Sequence, residues 1–382
     1  MNPLSIHFQT AGEILFGRGK AAEAASRIRH FGKRVFLVHG RTPARVDWLA
    51  LELEAIGAEI TGFAVATEPD LPLVEMGVAA ARSMNADVVV SIGGGSVIDA
   101  GKAIAALVHA SGPIIDYLEV VGSGRQLEGP LLPFIALPTT SGTGAEVTKN
   151  AVIGVPSHRR KVSLRDGRML ARLALIDPQL TDHAPRAITL ESGLDAVTQV
   201  IEPYISSRAN RLTDALAEQA IMSGLLALRT LMSREDEAAR DEIAWTSLCG
   251  GLALANAGLG VVHGLAGPLG GLCEAPHGAI CGALLPYGIA ANRDAVTEPT
   301  QAKRIEEVLG LIGSAFDTTS GKALSALANW SRVNGLKSLS QMGISAADRE
   351  AAADMAVASS SMKANPVPLD RETLIAILEA AS

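Results

Sequence analysis

The run Val88–Ile92 (VVVSI) leads directly into three consecutive glycines, Gly93-Gly94-Gly95, and this junction restricts the fold more than any other feature of the chain. A short apolar run without polar alternation suits a strand covered on both faces, and such strands belong to parallel sheets with helices packed on either side. Similar runs recur. Val35–Val38 (VFLV) ends at Gly40, Phe134–Leu137 ends at Pro138, and Leu173–Ile176 is closed by Asp177-Pro178. Glu13–Phe16 and Ile60–Val65 read as further strands, with helices over Ala21–Phe31, Leu73–Met84 and Ile98–His109. Asn150–Val155 and Lys161–Leu164 flank Pro156-Ser157-His158 and predict a hairpin. Beyond about residue 183, alanine and leucine recur at helical spacing over 189–206, 211–232, 237–257, 277–292, 302–313, 321–334, 345–359 and 370–381. The expectation is an α/β domain over 1–182 and an all-helical domain over 183–382, with a ligand cleft between them.

The charge balance excludes several roles. A net charge of −7 with no long basic run does not suit nucleic acid or an anionic membrane as partner. The start, MNPLSIHFQTAG, lacks the basic and apolar regions of a signal peptide, so a cytoplasmic location is expected. Cys249, Cys273 and Cys281 cannot all pair and their spacing fits no zinc ribbon, so they read as buried free thiols in a reducing compartment. From Cys249 to Cys273 there is no Asp, Glu, Lys or Arg. Its glycines, Pro268, Asn256 and His263 point to short helices in a core rather than a membrane span.

Two turns are suited to anions. Gly93-Gly94-Gly95-Ser96 follows a buried strand and opens a helix, so its backbone could approach a pyrophosphate while the helix N–H groups and dipole hold the charge. The G-x-G-x-x-G pattern is not met, since Ile98 takes the third position, and a tight turn without a ligand would look similar. Thr139-Thr140-Ser141-Gly142-Thr143-Gly144 follows another strand and could contact phosphate or ribose, or could simply cap a helix leading to Glu146. Together, at the carboxyl ends of strands in one sheet, the two turns suit a dinucleotide. In the helical half, Asp195 and Gln199 lie four apart on one helix face with Glu202 nearby, while His263 and His277 lie in the glycine-rich stretch. These oxygens and imidazoles could surround a divalent metal, although a buried histidine is equally a satisfied core residue.

Taken together, the segments GGGSVIDAGKAIA (93–105), ALPTTSGTGAEVT (136–148), RRKVSL (159–164), LALIDPQL (173–180), GLDAVTQVIEPYIS (193–206), HGLAGPLGGLCEAPHGAICGALLP (263–286) and NPVPLDRETLIAIL (365–378) resemble the iron-containing (group III) alcohol dehydrogenase family, in order and over nearly the whole chain. The resemblance implies a Rossmann-like domain followed by an all-α domain, in the dehydroquinate synthase-like arrangement. It also implies a metal-dependent, NAD(P)-linked alcohol dehydrogenase or aldehyde reductase acting on a small alcohol or carbonyl, working as a homodimer or larger homo-oligomer.

Carried over by motif, Gly94, Gly95, Ser96 and Asp99 would hold the pyrophosphate and its neighbourhood. Thr139, Thr140 and Thr143 would line the cofactor, and Lys161 would lie near its ribose. Asp195, Gln199, His263 and His277 occupy the metal positions for Fe²⁺ or Zn²⁺, with Asp195, His263 and His277 as the catalytic set.

Three features depart from the family pattern. Gln199 stands where the family usually has His, and an amide oxygen is the weaker ligand. Gly267 stands where many members have a second His. Gly40, with Arg41 and Arg45 close by, replaces the acid that NAD-specific members place after this strand, which favours NADP or use of both dinucleotides unless both arginines are simply solvated. Two alternatives share the scaffold: a maleylacetate reductase drawing an acidic substrate to Arg159, Arg160 and Lys161, and a nucleotide-binding homologue that has lost catalysis.

Overall fold

The computed structural model describes residues 6–382; the first five residues of the N-terminal stretch weighed above as a leader lie outside the described residues. The chain forms two compact units. One comprises Gln9–Thr140 with Ala145–Thr181, and the other is built on Asp182–Ser382 and takes in Ser141–Gly144 and residues 6–8.

The first unit carries eight strands among the described residues: β1 (Ile14–Phe16), β2 (Arg34–Gly40), β3 (Glu59–Val65), β4 (Val88–Gly93), β5 (Phe134–Pro138), β6 (Asn150–Val155), β7 (Arg160–Arg165) and β8 (Leu173–Ile176). Its helices are α1 (Ala24–Arg29), α2 (Asp47–Ala55), α3 (Leu71–Ser83) and α4 (Gly95–Leu107). Six strands form one parallel sheet in the order β1-β8-β5-β4-β2-β3, and β6 and β7 form a separate antiparallel hairpin. The central strands β4 and β5 are buried at every residue, as their uninterrupted apolar character requires. On one face Val35, Leu37, Val88, Val90 and Ile135 pack with Ile28, Leu49 and Leu53 of α1 and α2.

Two helices differ from the sequence reading. The helix expected over Ala21–Phe31 is a 3₁₀ turn, Lys20–Glu23, followed by the short α1. Helix α2 was not expected, because only Leu49 and Leu53 form a buried stripe while Leu51 is exposed.

The strand order creates one reversal. From β2 the chain moves outward to β3, whereas from β4 it moves the other way to β5. The carboxyl ends of β2 and β4, at Gly40 and Gly93, therefore flank the switch point where doubly wound sheets bind ligands.

Behind the β4–α4 turn lies a buried charge cluster. The Lys102 ammonium donates to Ala145 O (2.7 Å), Thr148 Oγ1 (3.0 Å) and Asn150 O (2.7 Å), so all three of its protons are satisfied. Asp99 stands 3.7 Å from it and accepts from the Val152 N–H at 3.0 Å, which ties α4 to the hairpin.

The helical unit contains α5 (Arg186–Ile205), α6 (Arg211–Leu231), α7 (Glu237–Ala257), α8 (Val261–Leu272), α9 (His277–Ala295), α10 (Pro299–Ala315), α11 (Ala323–Val333), α12 (Ala346–Ala356) and α13 (Arg371–Ala380). One apolar core runs through it, from Leu194 and Val197 on α5 to Leu374 and Leu378 on α13. The uncharged stretch breaks at Gly258, whose φ of 75° ends α7, and α8 departs at 98° to it. No single helix among the described residues is long and apolar enough to cross a membrane.

Burial, opposed by its own backbone amide and by Lys102, pushes the Glu146 carboxyl up to about 7. The unfolded chain binds that proton more weakly, so its stabilising contribution is complete below about pH 4.3 and is lost as pH rises through the folded value. Glu146→Gln, which has no proton to lose, is expected to hold a flatter stability between about pH 5 and 8 than the parent chain. Denaturant melts across that range are the measurement, and parallel pH profiles would count against the burial account.

Candidate active site

The turn after β4 is shaped by close approach. A Cβ at Gly93 would lie 2.5 Å from Val97 Cγ2, and one at Gly94 would lie 3.2 Å from Thr140 Oγ1. Gly94 is the N-cap of α4 and offers no side-chain acceptor, so the helix presents its positive end uncapped at Gly95 and Ser96. The neighbouring turn is held in register, since Gly93 pairs with Pro138 and the Thr139 N–H donates to Gly93 O at 2.9 Å. Thr139 and Thr140 thus stand beside Gly94. A 3₁₀ turn at Ala145–Val147, which contains Glu146, follows them rather than an α-helix.

Gly40 ends β2 at the switch point, and a Cβ there meets nothing within 4 Å. Arg41 is exposed and donates to Ala66 O at 3.2 Å, and Arg45 is exposed in the same loop. Asp99 is engaged with Val152 and Lys102 one turn beyond Ser96. Lys161 of the hairpin is ion-paired with Glu68. Thr143 belongs to the segment Ser141–Gly144, which is part of the helical unit. There a Cβ at Gly144 (φ +56°) would fall 2.5 Å from Gly251 Cα.

In the helical unit, α5 carries Asp195, Gln199 and Glu202 on one buried face. Glu202 organises the start of α8. Its Oε1 accepts from the Val262 N–H at 2.7 Å, and its Oε2 accepts from His263 Nδ1 at 2.6 Å. Asn365 Oδ1 accepts from the Val261 N–H at 3.0 Å. The N-cap of α8 is Gly260, where a Cβ would stand 2.8 Å from Asn365 Oδ1 and 2.9 Å from Glu202 Oε1; only glycine leaves room for both caps. With Nδ1 facing the Glu202 carboxylate, His263 directs Nε2 to Asp195 Oδ1 at 3.2 Å.

Helix α9 approaches the same point through glycine. A Cβ at Gly278 would fall 2.3 Å from Glu191 O, and one at Gly282 would fall 2.6 Å from Leu194 Cδ1. This close packing brings His277 Nε2 to 4.0 Å from Asp195 Oδ1 and places Cys281, one turn on, with its Sγ 3.5 Å from His277 Nε2. One ligand atom from each of Asp195, His263, His277 and Cys281 lies within 4.8 Å of all the others, a grouping that could hold a metal ion.

Burial opposes charge throughout this group, yet the partners prevail. The His263 hydrogen bond and His277 hold the Asp195 carboxyl below its ordinary range. The negative surroundings raise His277 to about 9 against the burial that would lower it.

The structure therefore brings Asp195, His263 and His277 together. Gln199 lies on the same helix face, with its Nε2 donating to Gly142 O at 2.7 Å. Cys281 was missed. None of the three cysteines is in a disulfide; Cys249 and Cys281 are buried and Cys273 is half-buried. The overlooked signal was the four-residue spacing from His277 to Cys281, which puts both on one face of a helix. At Gly267, one turn after His263, a Cβ would meet nothing within 4 Å.

Residues 11–178 match the model of iron-containing alcohol dehydrogenases, and residues 189–382 match that of the C-terminal domain of the same family. The chain belongs to the iron-containing alcohol dehydrogenase family. As such it is an oxidoreductase. It is 36% identical over 325 residues to long-chain-alcohol dehydrogenase 1 of Geobacillus thermodenitrificans, covering 83% of this chain and 80% of that one. It is 32% identical over 360 residues to 1,3-propanediol dehydrogenase of Klebsiella pneumoniae, covering 92% of each. Among solved structures, a 1,3-propanediol oxidoreductase superposes with a TM-score of 0.89 at 30% identity, over 99% of this chain and 100% of the other.

Replacing Glu202 by Gln should loosen both the α8 cap and the His263 contact. A loss of about 1–3 kcal/mol in stability is expected in denaturant melts. An unchanged melt would show that the carboxylate charge is not what holds the helix start.

Proposed function

We propose that the chain is a metal-dependent, NAD(P)-linked alcohol dehydrogenase or aldehyde reductase acting on a small alcohol or carbonyl. The observation that carries this reading is the convergence of Asp195, His263 and His277 from three helices on one buried point. A buried carboxylate facing two imidazole nitrogens suits a divalent cation, whose charge offsets the anion and whose coordination uses the nitrogen lone pairs. In the family such a cation supplies Lewis-acid polarisation of the substrate oxygen, and the dinucleotide supplies the nicotinamide that accepts or donates hydride.

The chain's own residues have the following parts. Asp195, His263 and His277 hold the cation, and Glu202 fixes the ring of His263 so that Nε2 faces it. Gly94, Gly95 and Ser96, at the uncapped start of α4, bind the pyrophosphate. Thr139 and Thr140 line the cofactor from the adjoining turn, with Thr143 further along the same motif. Lys102 and Asp99 brace α4 from behind rather than contacting phosphate. Lys161 reaches the ribose by release from Glu68. At the 2′ position, Gly40 with Arg41 and Arg45 favours NADP, since no carboxylate is there to repel a phosphate.

His263→Ala is expected to lose bound metal and at least about 100-fold in kcat/KM with NADPH and a panel of aldehydes from short to long chain. Turnover that survives in protein verified to be metal-free would overturn the reading.

Gly40→Asp has room for its side chain and should weaken NADP relative to NAD by about 10-fold or more, through like-charge contact with the 2′-phosphate. The ratio of KM values for the two dinucleotides checks this. An unchanged ratio would show that the ribose end lies elsewhere.

A further inference from the structure

We infer that Cys281, as its thiolate, is the fourth protein ligand of the cation site, that Gln199 is not a ligand, and that the site is consequently a zinc site rather than an iron site. The inference rests on the cation reading given under Proposed function and goes beyond it in naming the ligand and the metal.

Two of the six ligand-to-ligand distances already match a tetrahedral centre, and all six lie within 4.8 Å. Zinc bonds of about 2.0–2.1 Å to nitrogen or oxygen and about 2.3 Å to sulfur require ligand-to-ligand edges of about 3.3 Å, or about 3.6 Å where one ligand is sulfur. His263 Nε2 to Asp195 Oδ1 is 3.2 Å, and Cys281 Sγ to His277 Nε2 is 3.5 Å. The His277–Asp195 edge, at 4.0 Å, is wider and would have to contract as the cation binds.

Charge supports it as well. Asp195 and Cys281 are both buried, and a carboxylate with a thiolate carries two negative charges that a divalent cation neutralises. Glu202 is already committed to the α8 amides and His263 Nδ1, so it does not compete for the cation.

Gln199 has only its Oε1 to offer a cation, because its amide nitrogen is engaged. Its amide nitrogen donates to Gly142 O, and its Cβ sits 3.0 Å from where a Cβ on Gly250 would be, so α7 packs tightly behind it. An amide oxygen is also a poor ligand beside a thiolate for a borderline metal. Sulfur together with nitrogen in tetrahedral geometry selects zinc, whereas oxygen-rich octahedral sets select harder ions.

Cobalt(II) in place of zinc reports sulfur ligation directly, through a thiolate-to-metal charge-transfer absorption in the near ultraviolet. The full-length protein, stripped by chelator and reloaded with one equivalent of cobalt, should show that absorption. Cys281→Ser should abolish it and lower zinc affinity by at least about 10–100-fold in chelator competition, the range that even outer-shell losses produce. Gln199→Leu and Cys273→Ser should retain it.

If cobalt binds stoichiometrically to the parent protein without the absorption, or if the absorption survives Cys281→Ser, the assignment of Cys281 is wrong while the cation reading stands. If neither cobalt nor zinc binds the parent protein, both fall together. The parent spectrum answers the question even should Cys281→Ser fail to fold.

Discussion

The contact between Glu202 and His263 is the constraint on which the helical half depends. A carboxylate on α5 closes the open amides at the start of α8 and, with its other oxygen, sets the orientation of the imidazole that α8 carries. Helix termination and ring placement are therefore one event. The glycine at position 260 exists because two acceptors crowd the same helix start, and the face of α5 that supplies Glu202 also supplies Asp195. Removing a helix cap ordinarily affects a helix; here it also releases a ring that faces a buried carboxylate.

Much of the α/β unit is legible in its sequence because buried parallel strands have little choice of composition. VVVSI and VFLV occupy the middle of the sheet, and the hairpin around Pro156-Ser157-His158 pairs as β6 and β7. Helix α2 escaped notice because its buried stripe is only two residues wide, too narrow to stand out from its exposed neighbours. Helix α8 lies in the uncharged stretch that reads as short helices in a core, but its bounds are not legible there, because glycines and proline lower helical propensity. Its start is held by Glu202 and Asn365, which are 60 and 104 residues away from the amides they cap.

The site was legible in part for a related reason. Asp195 and the two histidines are recognisable by motif, whereas Cys281 looks like any small buried residue until α9 is packed on α5. That packing depends on Gly278 and Gly282, whose meaning is steric and appears only when the partner helix is present. Gln199 was placed on the correct face, but the destination of its amide nitrogen, Gly142 O, lies 57 residues away in a loop that no local pattern connects to it.

Gly267 has one further consequence. The surroundings of this position are empty, and it lies one helical turn beyond the imidazole that faces Asp195. A position with spare volume next to fixed chemistry can accept side chains of different size without any rearrangement of the backbone. A larger residue there would fill open space on α8 while leaving undisturbed the capped helix start that orients His263.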